Sequence, residues 1–133
     1  MLEMGVFGGW YFGDNPGGVP DDLPPSWFAN AKLSPAGFDK ELNYFGVAAG
    51  QSRDVWLQKG WITPEDPLGW FQWYCRYSLG RRLAGVDDFQ IKRWIAFGAR
   101  HVPQIKKNCH PADVFCRPRQ RQAVLQWAYD PLI

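Results

Sequence analysis

Two kinds of patterning divide this chain near residue 50. Beyond that point apolar residues recur with the three-to-four-residue spacing of helices; before it they follow no period and are broken by turn-forming residues. Ser52 is placed to cap a short helix over residues 53–59, with Gly60 to end it. Thr63-Pro64-Glu65-Asp66 combines a capping hydroxyl, a first-turn proline and following acids, and predicts a long helix reaching about residue 82. A third helix is expected from Asp87 or Asp88 to Val102, where Pro103 disturbs it before a resumption through Lys107. The last helix opens at Pro118 and runs to Tyr129, closed by Asp130-Pro131. In the first 50 residues, Asp14-Asn15-Pro16-Gly17-Gly18, Val19-Pro20-Asp21-Asp22 and Pro24-Pro25 favour turns and extended chain. The expectation there is a long irregular wrap, with Ser26 or Asn30 capping a short turn. Its rings, Phe7, Trp10, Tyr11, Phe12, Trp27 and Phe28, would pin it to the helices, because a loop with nothing to bury does not stay ordered. The fold class read from this pattern is mainly α: a compact bundle of about four helices carrying an aromatic-rich N-terminal wrap. Residues 1–133 form one domain, with the wrap over 1–50 and the helical core over 51–133.

Projected at about 100° per residue, the second helix splits its apolar groups between two faces. Phe71, Cys75 and Leu79 lie on one; Trp70, Trp73, Tyr74 and Tyr77 cluster on the other beside Arg81. Either this central helix packs on both sides, or the second face is a stacking platform for bases or sugars with a guanidinium nearby for phosphate. On the third helix Ile91, Trp94, Ile95, Gly98 and Val102 make a core stripe, while Arg93 and Arg100 share the far side, as a solvated face or a phosphate-contacting one. The fourth turns Ala123, Val124, Trp127 and Ala128 inward and leaves Arg119, Gln122 and Gln126 opposite, to read base edges or meet water.

Length and composition narrow the class. A chain of 133 residues with 46% hydrophobic, 17% aromatic and 21% charged residues suits one globular core and excludes a disordered, low-hydrophobicity chain. No apolar run approaches the roughly 20 residues of a membrane span, so no membrane is expected as a partner. The apolar start carries Glu3 in place of a basic lead and reads as mature structure. Three cysteines, an odd number without a framework, suit the reducing interior of a cell, cytoplasmic or nuclear. The net charge of +2 hides an asymmetry: residues 1–66 hold four basic and nine acidic side chains, residues 67–133 eleven and four. The second half is thus a candidate face for polyanions.

The run from Lys106 to Gln122 concentrates that charge. Arg117, Arg119 and Arg121 enter a helix N-terminus, where the dipole disfavours cations by about 0.3–1 kcal/mol. Bound phosphate would compensate, and so would ion pairs to the acidic half. His101, Cys109, His110 and Cys116 form the one metal-like constellation, but the spacing matches no zinc pattern, so no metal or other cofactor is expected. Cys109 and Cys116 are left as free thiols, a bridge or ligands, with free thiols favoured. The zinc-deaminase, P-loop, dinucleotide and serine-elbow signatures are absent.

Four segments, Met4-Gly5-Val6-Phe7-Gly8-Gly9, Leu42-Asn43-Tyr44-Phe45-Gly46-Val47, Gly69-Trp70-Phe71-Gln72-Trp73-Tyr74-Cys75-Arg76-Tyr77 and Cys116-Arg117-Pro118-Arg119-Gln120-Arg121-Gln122, followed by Gln126-Trp127-Ala128-Tyr129-Asp130, are together distinctive. On them the chain resembles, over almost its whole length, a family of small uncharacterised tryptophan-rich proteins. The resemblance implies one complete domain and carries over no catalytic residue.

The function these features suggest is nucleic-acid binding, DNA before RNA, in the setting of DNA repair or modification. Arg81, Arg82, Lys106, Lys107, Arg117, Arg119 and Arg121 are the expected phosphate contacts; Trp73, Tyr74 and Tyr77 are the expected stacking rings for an unpaired base. Two alternatives stand beside it. One is a metal-independent, glycosylase-like enzyme acting on a nucleobase or nucleotide with a carboxylate in an aromatic pocket; the other is a protein-interaction module using exposed rings.

Overall fold

The computed structural model describes residues 1–13 and 19–133, and among these it contains four α-helices and no strand. Helix α1 spans Arg53–Gln58, α2 Trp70–Ser78, α3 Val86–Asn108 and α4 Pro118–Gln126. Among the described residues of the first 50 are two 3-10 turns, Pro25–Phe28 and Lys40–Leu42, with no α-helix or strand. The mainly α architecture is therefore the expected one, and the turn signals at 14–18 lie outside the described residues.

Ser52 does cap α1, its hydroxyl accepting from the Val55 amide at 3.5 Å. The second helix starts later and ends sooner than its signals predict. Asp66 is buried and turned away from any capping role: it receives Arg81 through two bonds of 2.8 and 2.5 Å and Arg76 at 3.0 Å. The Thr63 hydroxyl is buried without a partner. Gly69 then stands at φ +98°, a left-handed conformation open to glycine, so the helix begins only at Trp70. It stops at Ser78 because Arg81 must leave the helix to reach Asp66. Helix α3 continues without a break through Pro103. The hydrogen bond that proline removes is outweighed by anchors on either side: Ile105 is fully buried, and Gly98 lies so close to the Tyr129 ring that a Cβ would sit 2.3 Å from it. Helix α4 ends at Gln126, since Ala128 takes a left-handed φ of +55°. Neither Ser26 nor Asn30 caps the first 3-10 turn, which Pro24 precedes with no side-chain cap.

Helix α2 is packed on both faces. Phe71 meets Phe7, Tyr11 and Phe12 of the wrap, and Trp70 meets Trp94 of α3 and Trp127 after α4. Four residues expected to pack inward are exposed: Leu79 past the end of α2, Ile95 on α3, and Trp10 and Trp27 of the wrap, which is pinned by Phe7, Tyr11, Phe12 and Phe28 instead.

The larger correction concerns α4. Gln122 and Gln126, expected to face outward, are buried and bond the wrap. Gln122 accepts from the Phe45 amide and donates to the carbonyls of Gly5 and Val6, each at 3.0 Å; Gln126 donates to Val6 and Ala49. Arg121 is 0% exposed, and its guanidinium donates to the main-chain oxygens of Cys116, Pro131, Ile133 and Asp113. Cys109 and Cys116 are joined by a disulfide, where the sequence favours free thiols. Such a bond persists more often in oxidising surroundings, so it pulls against the intracellular expectation. Cys75 is the remaining thiol, buried, its pKa pushed up to about 12 by desolvation. No helix of the described residues is long and apolar enough to cross a membrane.

Because Arg121 satisfies four main-chain oxygens at once, Arg121→Met leaves them without this donor, the Pro131 carbonyl in a buried site and the other three in part-buried ones. The expected loss of stability is about 3–5 kcal/mol, read from the urea midpoint; a loss under about 1 kcal/mol would contradict this role.

Candidate anion-binding aromatic cavity

One cavity of about 370 Å³ opens where α1, α3 and the end of α4 meet the wrap, within the roughly 300–1,000 Å³ of small-molecule sites. Its floor is the buried aromatic core, including Tyr11, Trp70 and Phe71. Trp56 from α1, Trp61 from the following turn, Phe97 from α3 and Trp127 make the walls. Phe97 stacks on Trp127 with centroids 4.8 Å apart and planes within 9°, which fixes that wall as a flat surface. The Tyr11 hydroxyl is already satisfied, donating to Leu68 and accepting from the Gln72 amide; burial holds it neutral.

Four basic residues, Lys59, Arg93, Arg100 and His101, line the same space, and no carboxylate does among the described residues. Arg93 lies over the rings of Trp61, Phe89 and Trp127, at 5.1, 5.5 and 5.3 Å. Its hydrogen bonds go to neutral oxygens only, the Trp61 carbonyl and the Gln90 amide. Desolvation alone lowers its pKa, to about 10. A half-buried cation with no acidic partner is costly unless an anion joins it.

The protonation of His101 can be read from its neighbours. Gln120 accepts from Arg117, which can only donate, so its carbonyl oxygen faces Arg117 and its amide nitrogen faces His101 Nδ1 at 3.1 Å. Nδ1 is therefore an acceptor, and the neutral ring carries its proton on Nε2.

The helix explains why these cations converge. At about 100° per residue, Arg93, Phe97, Arg100, Gln104 and Lys107 fall within one narrow face of α3, so a row of cations leads from the cavity toward the C-terminal end of the helix. Arg119 adjoins the row, bonded to the Ala48 carbonyl close to the cavity-lining Gly50 and Gln51.

The ten residues singled out from the sequence are dispersed by comparison. Arg81 is neutralised by an ion pair to Asp66 of the acidic half, whereas Arg117, Arg119 and Arg121 at the start of α4 have no such pair among the described residues. Arg121 is sealed inside and cannot meet phosphate. Arg82 lies over the Tyr77 ring at 3.8 Å and bonds two carbonyls. Trp73 is 0% exposed, its indole nitrogen donating to Asp87 at 2.9 Å, so it offers no face to a base. Tyr74 stacks on Trp70 and Tyr77 on Trp73. Lys106, Lys107, Arg117 and Arg119 are exposed and form no ion pair among the described residues. Lys59, Trp56, Trp61 and the Phe97–Trp127 wall are site residues that the sequence does not single out, although the pairing of Arg93 with Arg100 is visible in the helical period. The carboxylate of the glycosylase-like alternative is not in this cavity. Cys109 and Cys116 are spent on each other, and no group of potential metal ligands is gathered among the described residues.

Compared with known protein families, with curated proteins and with solved structures, the chain matches none.

Burial first, and Arg100 second, lower the pKa of His101 from its usual 6.5. The unfolded chain then takes up this proton before the folded one does. Stability should fall as pH drops through about 6.5 toward the lower folded value, then level off. The His101→Asn variant should lack that segment of the urea-midpoint profile; identical profiles for both proteins would refute the assignment.

Proposed function

We propose that the protein binds nucleic acid through this cavity, with an unpaired base among Trp56, Trp61 and the Phe97–Trp127 wall and phosphates along the α3 row. The observation that carries the reading is Arg93, desolvated among rings and lacking a carboxylate. Flat aromatic walls favour a planar group, and three cations, Lys59, Arg93 and Arg100, with no acid among the described residues favour one that is negatively charged. A nucleotide unit has both properties. Neutral sugars would meet the rings but leave the guanidinium uncompensated, and a protein partner would have to place a side chain of the same chemistry in a concave site. The phosphate contacts of this reading are Arg100, Lys107 and Arg119, joined by Lys106 and Arg117 at the far end of the row; Arg81, Arg121 and Trp73 have no part in it. Bases leave the stack where DNA is damaged, mismatched or being modified, which is the setting such a module would serve, with DNA the first polymer to test.

The test is fluorescence anisotropy with a labelled single strand of about twelve nucleotides, as DNA and as RNA, across a range of salt. Affinity should fall steeply with salt, and Arg100→Met should reduce the slope by about 0.7 for each phosphate that is no longer neutralised. Trp61→Ala should weaken binding by roughly 1–3 kcal/mol. Arg93→Met should abolish measurable binding, and Arg93→Lys, which keeps a charge there but not the forked guanidinium, should weaken it. Salt-independent affinity, or an Arg93→Met variant that binds as before, would overturn the reading.

A further inference from the structure

The corner between α3 and α4 holds one aromatic ring out in solvent. Phe115 is 79% exposed, the most of any large apolar side chain among the described residues, and stacks on no other ring among them. Yet the backbone beside it is fastened three times. The Cys109–Cys116 disulfide closes the corner. The Asp113 carboxylate accepts from the amides of Phe115 and Cys116, each at 3.0 Å. From beneath, the buried Arg121 guanidinium holds the carbonyls of Asp113 and Cys116. A loop so tightly fixed presents its ring in a defined place rather than leaving it free to fold back, and a preorganised aromatic binds at low entropic cost. The ends of α3 and α4 that this disulfide joins carry Lys106, Lys107 and Arg117, exposed and unpaired with carboxylates among the described residues. The one acid of the segment, Asp113, is turned onto the loop's own amides.

We propose that Phe115 is a second base-stacking contact, which takes an unpaired base a few nucleotides along the strand from the cavity. The inference rests on the nucleic-acid reading of that cavity. Its support is the shared track: Arg100 and Lys107 lie on one face of α3, seven residues or about 10 Å apart, a distance that a few nucleotides of an unpaired strand can span. Lys107 thus delivers the backbone to the corner where the ring waits. A lipid surface would also accept an aromatic among cations, but one ring buries little apolar area, and a flat bilayer would not follow the row back into a concave site.

Two probes separate this inference from the reading beneath it: a thymidine dinucleotide, which only fills the cavity, and an oligothymidine of about twelve nucleotides. Phe115→Ala should weaken the longer probe roughly tenfold, leave the dinucleotide unchanged, and be rescued by Phe115→Trp. Because the ring is exposed, the variant should keep the wild-type urea midpoint. Equal binding of the longer probe by wild type and Phe115→Ala would overturn the role of Phe115 and leave the cavity reading standing. Weakening of both probes alike would overturn it too, marking a structural effect. Failure of the wild type to bind either probe would overturn both claims. Phe115-dependent binding to phosphatidylcholine–phosphatidylserine vesicles without an effect on the longer probe would overturn it in favour of a membrane.

Discussion

Gln122 exchanges three hydrogen bonds with the first 50 residues, and the irregular part of the chain depends on that exchange. The described wrap pairs part of its backbone within itself, as where the Tyr44 amide donates to the Gly5 carbonyl, and α4 adds further partners from buried side-chain amides. Gln126 adds to the same seam, and Arg121, one residue before Gln122, does the equivalent for the loop after α3 and for the C-terminal residues. Polar side chains normally found at a surface are here what makes the wrap part of the core. Apolar residues of the same volume would pack but leave the Val6 and Ala49 carbonyls without these donors, at about 1–3 kcal/mol each.

Once the wrap is fixed, the cavity follows. Phe7 and Tyr11 are held against Phe71, Trp70 is pressed toward Trp94 and Trp127, and the space left between this aromatic block and α1 has rings for its floor and much of its walls. Helix α3 then contributes cations at the spacing that brings Arg93 and Arg100 to the same opening. The acidic groups that could have neutralised them are used elsewhere: Asp66 and Asp22 take Arg76 and Arg81, and Asp87 is bound to Trp73 and the Leu83 amide. Asymmetry of charge along the sequence therefore becomes asymmetry in space only in part, with the remainder concentrated on the α3 face and the α3–α4 corner.

Much of the architecture is legible in the sequence because it rests on local signals. Ser52 caps its helix, Pro118 opens one, and the two-faced apolar pattern of α2 does mean packing on both sides. What local signals misplace are residues drawn away by a distant partner. Asp66 reads as a first-turn acid but is drawn to Arg81, fifteen residues on. Arg121 and Gln122 read as an exposed basic face because sequence shows their polarity and not the carbonyls brought to them from residues 5, 6, 113 and 131. The disulfide is likewise a matter of tertiary geometry that three cysteines cannot declare. Of the site, the guanidinium row can be read from the helical period; the aromatic walls, gathered from three separate segments, cannot.

The central claim is that the cavity, and not the buried face of α2, receives the ligand. Eight tryptophans make this directly observable, since each indole N–H gives its own signal in a two-dimensional NMR spectrum. On titration with oligothymidine, the account predicts that the signals of Trp56 and Trp61 shift in proportion to binding while that of Trp73, sealed against Asp87, stays fixed. Binding that moves Trp73, or that leaves Trp56 and Trp61 unmoved, would contradict it.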